Sequence, residues 1–151
     1  MGERMTSVHL YQAQKKDIQD LNILIQEWKA TDLVDCNFPE LDTVKVNQYL
    51  NKFLINGKII CIKDLDRDKI VGCCIFNKSE YWFSKQRIMI IQMIYIQKKF
   101  RNYKLVKQLI DMIKKVSDNN PIVLSITSKL DIDPVFERLG FENMGNNWRL
   151  T

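Results

Sequence analysis

Histidine is almost missing from these 151 residues: there is one, His9, and the four cysteines form no C-x-x-C pair. A zinc site needs clusters of such ligands, so a metal centre has no support. Long apolar runs are lacking too, and no uncharged stretch reaches the roughly 18 residues of a membrane span. The N-terminal MGERMTSVHLYQ carries no apolar h-region of the secretory kind, so a cytoplasmic protein with no membrane association is expected. Internal repeats, low-complexity segments and linkers are absent from the sequence. One domain over residues 1–151, with a single substantial core, is therefore expected.

What is present is ordinary globular composition, 46% hydrophobic and 27% charged, with an excess of 19 isoleucines over 2 alanines that suggests AT-rich coding. The net charge of +5 favours anionic partners, nucleic acid or a phosphorylated cofactor. Its densest group is Lys98, Lys99, Arg101, Lys104 and Lys107, at a strand–helix junction. A solvated face and an anion site are both open readings for that group. Cys36, Cys61, Cys73 and Cys74 fit small buried hydrophobes in a reducing compartment, with the adjacent Cys73 and Cys74 pointing to opposite faces of a strand.

Periodicity predicts a first strand from Val8 to Gln12, then a helix opened by Asp17 with Ile18, Leu21, Ile25 and Trp28 on one face. A polar loop from Thr31 to Glu40 precedes a second helix, Asp42 to Ile55, ended by Asn56-Gly57. Strands Lys58 to Lys63 and Lys69 to Asn77 flank a charged hairpin turn. Ile88 to Ile96 is apolar on both faces, the mark of a central strand. A helix from Asn102 to Val116, a strand from Ile122 to Ile126, a short helix capped by Asp133 and Gly140, and a last strand from Phe141 to Leu150 complete the order β-α-α-β-β-β-α-β-α-β.

Two segments carry more than periodicity. Ile88 to Ile110 is a buried strand running through the basic turn Phe100-Arg101-Asn102-Tyr103-Lys104-Leu105-Val106 into a helix N-terminus, where backbone N–H groups hold anions. Farther on, Glu137-Arg138-Leu139-Gly140-Phe141 closes a short helix. In this order the two segments resemble the GNAT superfamily of N-acetyltransferases over nearly the whole chain, including divergent phage-encoded members. The resemblance implies an α/β (α+β) fold with a mixed, mostly antiparallel central sheet flanked by helices. In that family the turn follows R-x-x-G-x-G/A and cradles the acetyl-CoA pyrophosphate. Arg101 matches, whereas Lys104 and Val106 replace the two small residues and narrow the cradle.

Cofactor contacts implied by the resemblance are Ile94, Tyr95 and Ile96 on the strand, Arg101, Asn102, Tyr103, Lys104, Leu105 and Val106 at the turn, and Phe136, where the family often has a tyrosine that acts as acid. Met93 adjoins the strand set. Acetyl transfer needs an amine that loses a proton, a stabilised oxyanion and a leaving thiolate. Gln92 stands in the region where several relatives carry a basic glutamate, so the weak catalytic candidates are Tyr95, Gln92 and Glu80. Tyr95 reads as packing or as an acid reaching the cleft, and His9 as structural. Trp82 and Phe83 read as core contacts before acceptor-pocket wall.

The expected function is acyl-CoA-dependent N-acetylation of an unidentified small-molecule or protein amine, by direct transfer, in a monomer or homodimer. A catalytically degenerate GNAT-fold interaction protein acting on a host factor is the alternative. Nucleic-acid contact, motivated by the charge, is a third.

Overall fold

The computed structural model describes residues 7–125, 133–145 and 148–151. Five strands form one sheet in the order β1-β2-β3-β4-β5: β1 (Val8–Gln12), β2 (Ile59–Asp64), β3 (Lys69–Glu80), β4 (Arg87–Ile96) and β5 (Ile122–Leu124). The first four pair antiparallel, and β5 joins β4 in parallel. Helices α1 (Ile18–Thr31) and α2 (Thr43–Ile55) connect β1 to β2, α3 (Tyr103–Val116) connects β4 to β5, and α4 (Asp133–Arg138) follows. This is the expected mixed sheet flanked by helices. No helix among the described residues is long and apolar enough to cross a membrane.

The sheet separates two apolar clusters, and strand alternation decides which side chain joins which. Ile60, Cys74, Phe76, Met89, Ile91 and Ile96 meet Leu105, Leu109, Ile110 and Ile113 of α3. Ile59, Cys61, Cys73, Ile75, Met93 and Tyr95 meet Leu21, Leu24 and Ile25 of α1 and Leu50 of α2. Cys73 and Cys74 do face opposite sides, both fully buried, and burial raises the pKa of each thiol. Each fully buried aliphatic side chain contributes about 1.5–3 kcal/mol. The four on α3 therefore outweigh the ~1 kcal/mol of its Asn102 cap in setting its position.

Local signals set the helix ends. Asp42 accepts the Lys45 amide at 3.0 Å. At the other end of α2, Gly57 takes φ +65° so that its amide reaches the Leu54 carbonyl and that of Lys58 reaches Phe53. Gly140 and Phe141 close α4 the same way, onto Glu137 and Phe136.

Three expectations need correction. Phe141 to Leu150 forms no strand in its described part: residues 141–145 and 148–150 have no ladder partner, and the exposed Trp148 and Leu150 bury too little apolar surface to hold one against the sheet. The fifth strand ends at Leu124, and Ile126 lies outside the described residues. Trp82 and Phe83 are not core; Trp82 is 96% exposed, and beyond the end of β3 the Phe83 ring stacks on Tyr81 and meets Trp82 edge-on.

At Gly72 the neighbouring strands leave no room for a side chain. A Cβ there would lie 2.9 Å from the Tyr95 carbonyl oxygen, 3.1 Å from Ile62 Cδ1 and 3.3 Å from Ile96 Cα. Two of these are backbone atoms of the central strand and cannot swing aside. Gly72→Ala is expected to lower stability by about 1–3 kcal/mol, as overpacking does. Urea denaturation checks this; a midpoint equal to the parent's would show that the strands separate freely.

Candidate active site

The site begins with one extra residue. Across the β3–β4 ladder Ile75 pairs with Met93 and Phe76 with Ile91, so Gln92 has no opposite number and forms a β-bulge. On its N-terminal side the backbone of Met89 faces β5, donating to the Pro121 carbonyl at 2.8 Å. On its C-terminal side Gln97 faces β3, donating to Val71 at 2.8 Å. Alternation back from Gln97 turns Tyr95 and Met93 toward β3, and Ile94 and Ile96 toward the β5 side. Pairing with β5 has already stopped at Ile91 opposite Leu124. The polar backbone of Ile94 and Ile96 therefore faces an opening.

That opening is a cleft of about 240 Å³. Ile91, Val106, Leu124, Val135 and Phe136 form much of its apolar wall, and Arg101, Asn102 and Tyr103 stand where α3 begins. Asn102 caps α3 by accepting the Leu105 amide at 2.8 Å, and the Val106 amide goes to the Asn102 carbonyl. Of the four amides a helix start leaves over, those of Tyr103 and Lys104 have no partner among the described residues. They carry the positive end of the helix dipole.

Arg101 does not hang over this helix mouth. Its Nε donates to the Ile96 carbonyl at 2.6 Å, its Nη2 meets Asp32 Oδ1 at 2.9 Å, and its guanidinium lies 5.7 Å from the Tyr95 ring centre. Asp32 and the neighbouring Trp28 and Leu33, from the end of α1, also line the cleft. Glu27, one turn earlier, accepts from the Tyr95 hydroxyl at 2.7 Å and from Gln97 Nε2 at 3.2 Å. Thr31 Oγ1 donates to the Glu27 carbonyl at 2.8 Å. These bonds strap the end of α1 to the β4–α3 junction.

The expected contacts are thus divided. Ile94, Ile96, Arg101, Asn102, Tyr103, Val106 and Phe136 line the cleft, as does Met93. Tyr95 is buried on the opposite face, Leu105 lies in the α3 core, and Lys104 points its side chain to solvent, so Val106 and not Lys104 narrows the cradle. Among the catalytic candidates, Gln92 is at the bulge and donates to Asn77 Oδ1 at 2.7 Å. Glu80 is exposed at the end of β3 opposite Arg87, away from the cleft, and His9 stacks on Tyr11 on β1. Among the junction cations, Lys107 is paired with Asp111 and Lys99 lies 5.2 Å from the Phe100 ring centre. Sequence reasoning missed Glu27, Asp32, Ser125 and Val135. Trp28 showed itself only as a core residue of α1, and nothing in the polar 31–40 segment marks Asp32.

Residues 32–149 match the family described as an acetyltransferase (GNAT) domain, which is most of the chain. The chain belongs to the GNAT acetyltransferase family. No curated protein sequence matches it, but solved structures do. A predicted acetyltransferase with acetyl-CoA from Clostridium acetobutylicum is 20% identical, with a TM-score of 0.69 and 96% of each chain covered. The aminoglycoside antibiotic 6'-N-acetyltransferase of Acinetobacter baumannii is 10% identical, with a TM-score of 0.70, 96% of this chain covered and 97% of that one. A ribosomal-protein-alanine N-acetyltransferase from Brucella melitensis is 16% identical, at 0.66, covering 96% and 99%. At these identities the likeness is one of fold.

Burial, aided by the Glu27 carboxylate and partly opposed by the Thr31 hydroxyl, pushes the Tyr95 pKa up to about 12. The folded state thus holds this proton more tightly than the unfolded chain, whose phenol titrates near 10. The resulting stabilisation is complete below about pH 10 and is lost as pH rises through about 12. Tyr95→Phe is expected to cost about 0.5–2 kcal/mol at neutral pH. The melting temperature of the parent should then fall faster than that of the variant across this alkaline window. Parallel curves would show that folding does not raise the Tyr95 pKa.

Proposed function

We propose that this GNAT chain transfers an acetyl group directly from acetyl-CoA to an amine. The observation that carries the reading is the opening of β4 from β5 at the Gln92 bulge, which leaves Ile94 and Ile96 backbone groups facing an apolar cleft that ends at the first turn of α3. Two neighbouring structures are named as N-acetyltransferases, and another holds acetyl-CoA.

The residues present fit the coenzyme's arm. The Ile94 amide and carbonyl and the Ile96 amide offer the pattern of an unpaired strand edge, which hydrogen-bonds an extended amide-bearing chain as an added strand would. The Ile96 carbonyl is already used by Arg101. At the diphosphate end, the Tyr103 and Lys104 amides offer donors and a helix dipole in place of the missing glycines. When bound, the coenzyme supplies an activated thioester carbonyl. This chain's part is to align an amine with it and keep bulk water out.

No strong base is at hand. Asp32 is the one carboxylate lining the cleft among the described residues, and it is committed to Arg101. Phe136 brings an aromatic ring, set edge-on to Phe141 at 5.2 Å, where a hydroxyl would be needed for an acid. The amine must therefore enter neutral or release its proton to solvent.

A second reading, a GNAT fold retained as an interaction module, is favoured by one observation: the junction arginine is held by Asp32 and Ile96. Calorimetric titration with acetyl-CoA separates the two. Tyr103→Pro deletes the first amide of α3 at a position whose preceding residue is already extended (φ −153°, ψ 161°), so the helix should survive. Relative to Tyr103→Ala, which controls for the lost ring, it should weaken acetyl-CoA binding about tenfold, the ~1.4 kcal/mol expected for a charge-assisted hydrogen bond. Absence of binding by the parent protein, with no thiol release, would favour the interaction module.

The pH dependence follows from the missing base. For an active acceptor, kcat/KM should rise with pH and level off at the acceptor's own solution pKa, without a second limb from a protein carboxylate or imidazole. A limb near pH 6–7, unrelated to the amine used, would reveal a base that this account lacks.

A further inference from the structure

We infer that the tip of the β3–β4 hairpin is a peripheral docking surface for an anionic phospholipid bilayer. Neither its evidence nor its test depends on the acetyltransferase reading.

The hairpin breaks a local rule. The Ser84 amide donates to the Tyr81 carbonyl at 3.2 Å, which makes Trp82 and Phe83 the two corner residues of a β-turn. Such corners favour Gly, Pro, Asn, Asp and Ser, whose backbone freedom or short polar side chains suit them. Here the corner rings are 96% and 67% exposed. The Phe83 ring stacks on Tyr81 with centroids 5.2 Å apart, and Trp82 meets it edge-on at 5.5 Å. Folding gains little from rings held in water, so their presence points to a partner outside the chain.

Charge at the base of the hairpin says which partner. Phe76 and Met89 belong to the α3 cluster, so strand alternation puts Lys78 and Arg87 on that same face, with Lys78 opposite Met89. Lys58 is near enough that, after burial, the charge of Lys78 lowers its pKa. The turn after α3 closes on this corner. There the Met89 amide donates to the Pro121 carbonyl at 2.8 Å, which brings up Lys114 and Lys115 of the last helical turn. With Lys85 of the hairpin, none of these cations forms an ion pair among the described residues. Glu80 and Asp118 stand among them, and Asp111 is held by Lys107. An anionic surface would relieve the excess.

Geometry separates a bilayer from a nucleic-acid strand. Single strands bind along a groove whose rings offer successive free faces. Tyr81 and Phe83 instead cover one face of each other, on a projecting turn. A bilayer interface needs neither groove nor free faces; it takes up amphipathic rings at headgroup depth, with cations just behind them. The turn backbone suits that depth, since the Ser84 amide is bonded to Tyr81 and the Gln86 amide to Ser84 Oγ at 3.1 Å. At about 3.3 Å per residue, Lys78 lies roughly 7 Å back from the end of β3, within about a Debye length of headgroups met by the rings. Arg87 stands at the start of β4. The cleft opens at the other end of β4, at Ile94 and Ile96, so docking leaves it free. A docked hairpin needs no spanning segment, and the expected lack of membrane association gives way to a peripheral one.

The test is co-sedimentation of the full chain with vesicles of phosphatidylcholine alone or with about one-third phosphatidylglycerol. Partition should be confined to the anionic vesicles and fall steeply between about 0.05 and 0.3 M salt. Trp82→Ser/Phe83→Ser should weaken it about tenfold or more, and Lys78→Gln/Arg87→Gln by about fivefold per cation. Unchanged melting temperatures would show that both variants fold. Trp82→Phe keeps the apolar tip but removes its indole. It should bind as the parent does and lose most of the fluorescence quenching by brominated phospholipid. Equal partition to neutral vesicles, no partition to anionic ones, or binding that both double variants leave unchanged would overturn the inference. So would vesicles being ignored while an oligouridylate binds, or the protein self-associates, in a manner that the ring variant abolishes. Those last two results would assign the rings to nucleic acid or to a second copy.

Discussion

A single unpaired residue in a central strand organises this molecule. Without the bulge at Gln92, β4 would keep its register with β3, and the polar backbone beyond Ile91 would alternate in step with the part paired to β5. The extra residue advances the alternation by one, so that Ile94 and Ile96 face the side β5 has left. The same step brings the Gln92 side chain against Asn77, beside a cavity walled by Tyr49 and Phe53 of α2. One local irregularity thus builds both the cleft and its connection to the opposite face.

A bulge interrupts its ladder and needs support on either side. Below it, Met89 and Ile91 are fixed in the α3 cluster, and Met93 and Tyr95 in the α1 and α2 cluster. Beyond it, Glu27 holds Tyr95 and Gln97, while Arg101 ties the Ile96 carbonyl to Asp32. Tyr95 and Arg101, whose types suggest chemistry, brace the strand instead. On the proposed function, the groups that bind are main-chain amides and carbonyls, which do not depend on side-chain identity. The fold itself tolerates wide sequence change, since neighbours only 10–20% identical match it over nearly their whole length.

The sequence was legible where one cause dominated. Isoleucine-rich runs buried on both faces and helices with a sharp apolar stripe declared themselves, because burial alone decides them. The α3 junction was legible because a strand, a cap at Asn102 and a helix follow one another without a gap. The bulge was not: Ile91-Gln92-Met93 is compatible with unbroken alternation, and only pairing with a distant strand shows the slip. Glu27 and Asp32 were equally silent, since their partners lie 68 and 69 residues away in the chain. Trp82 and Phe83 misled for the opposite reason: large aromatic rings suggest a core, yet no element among the described residues covers this hairpin end.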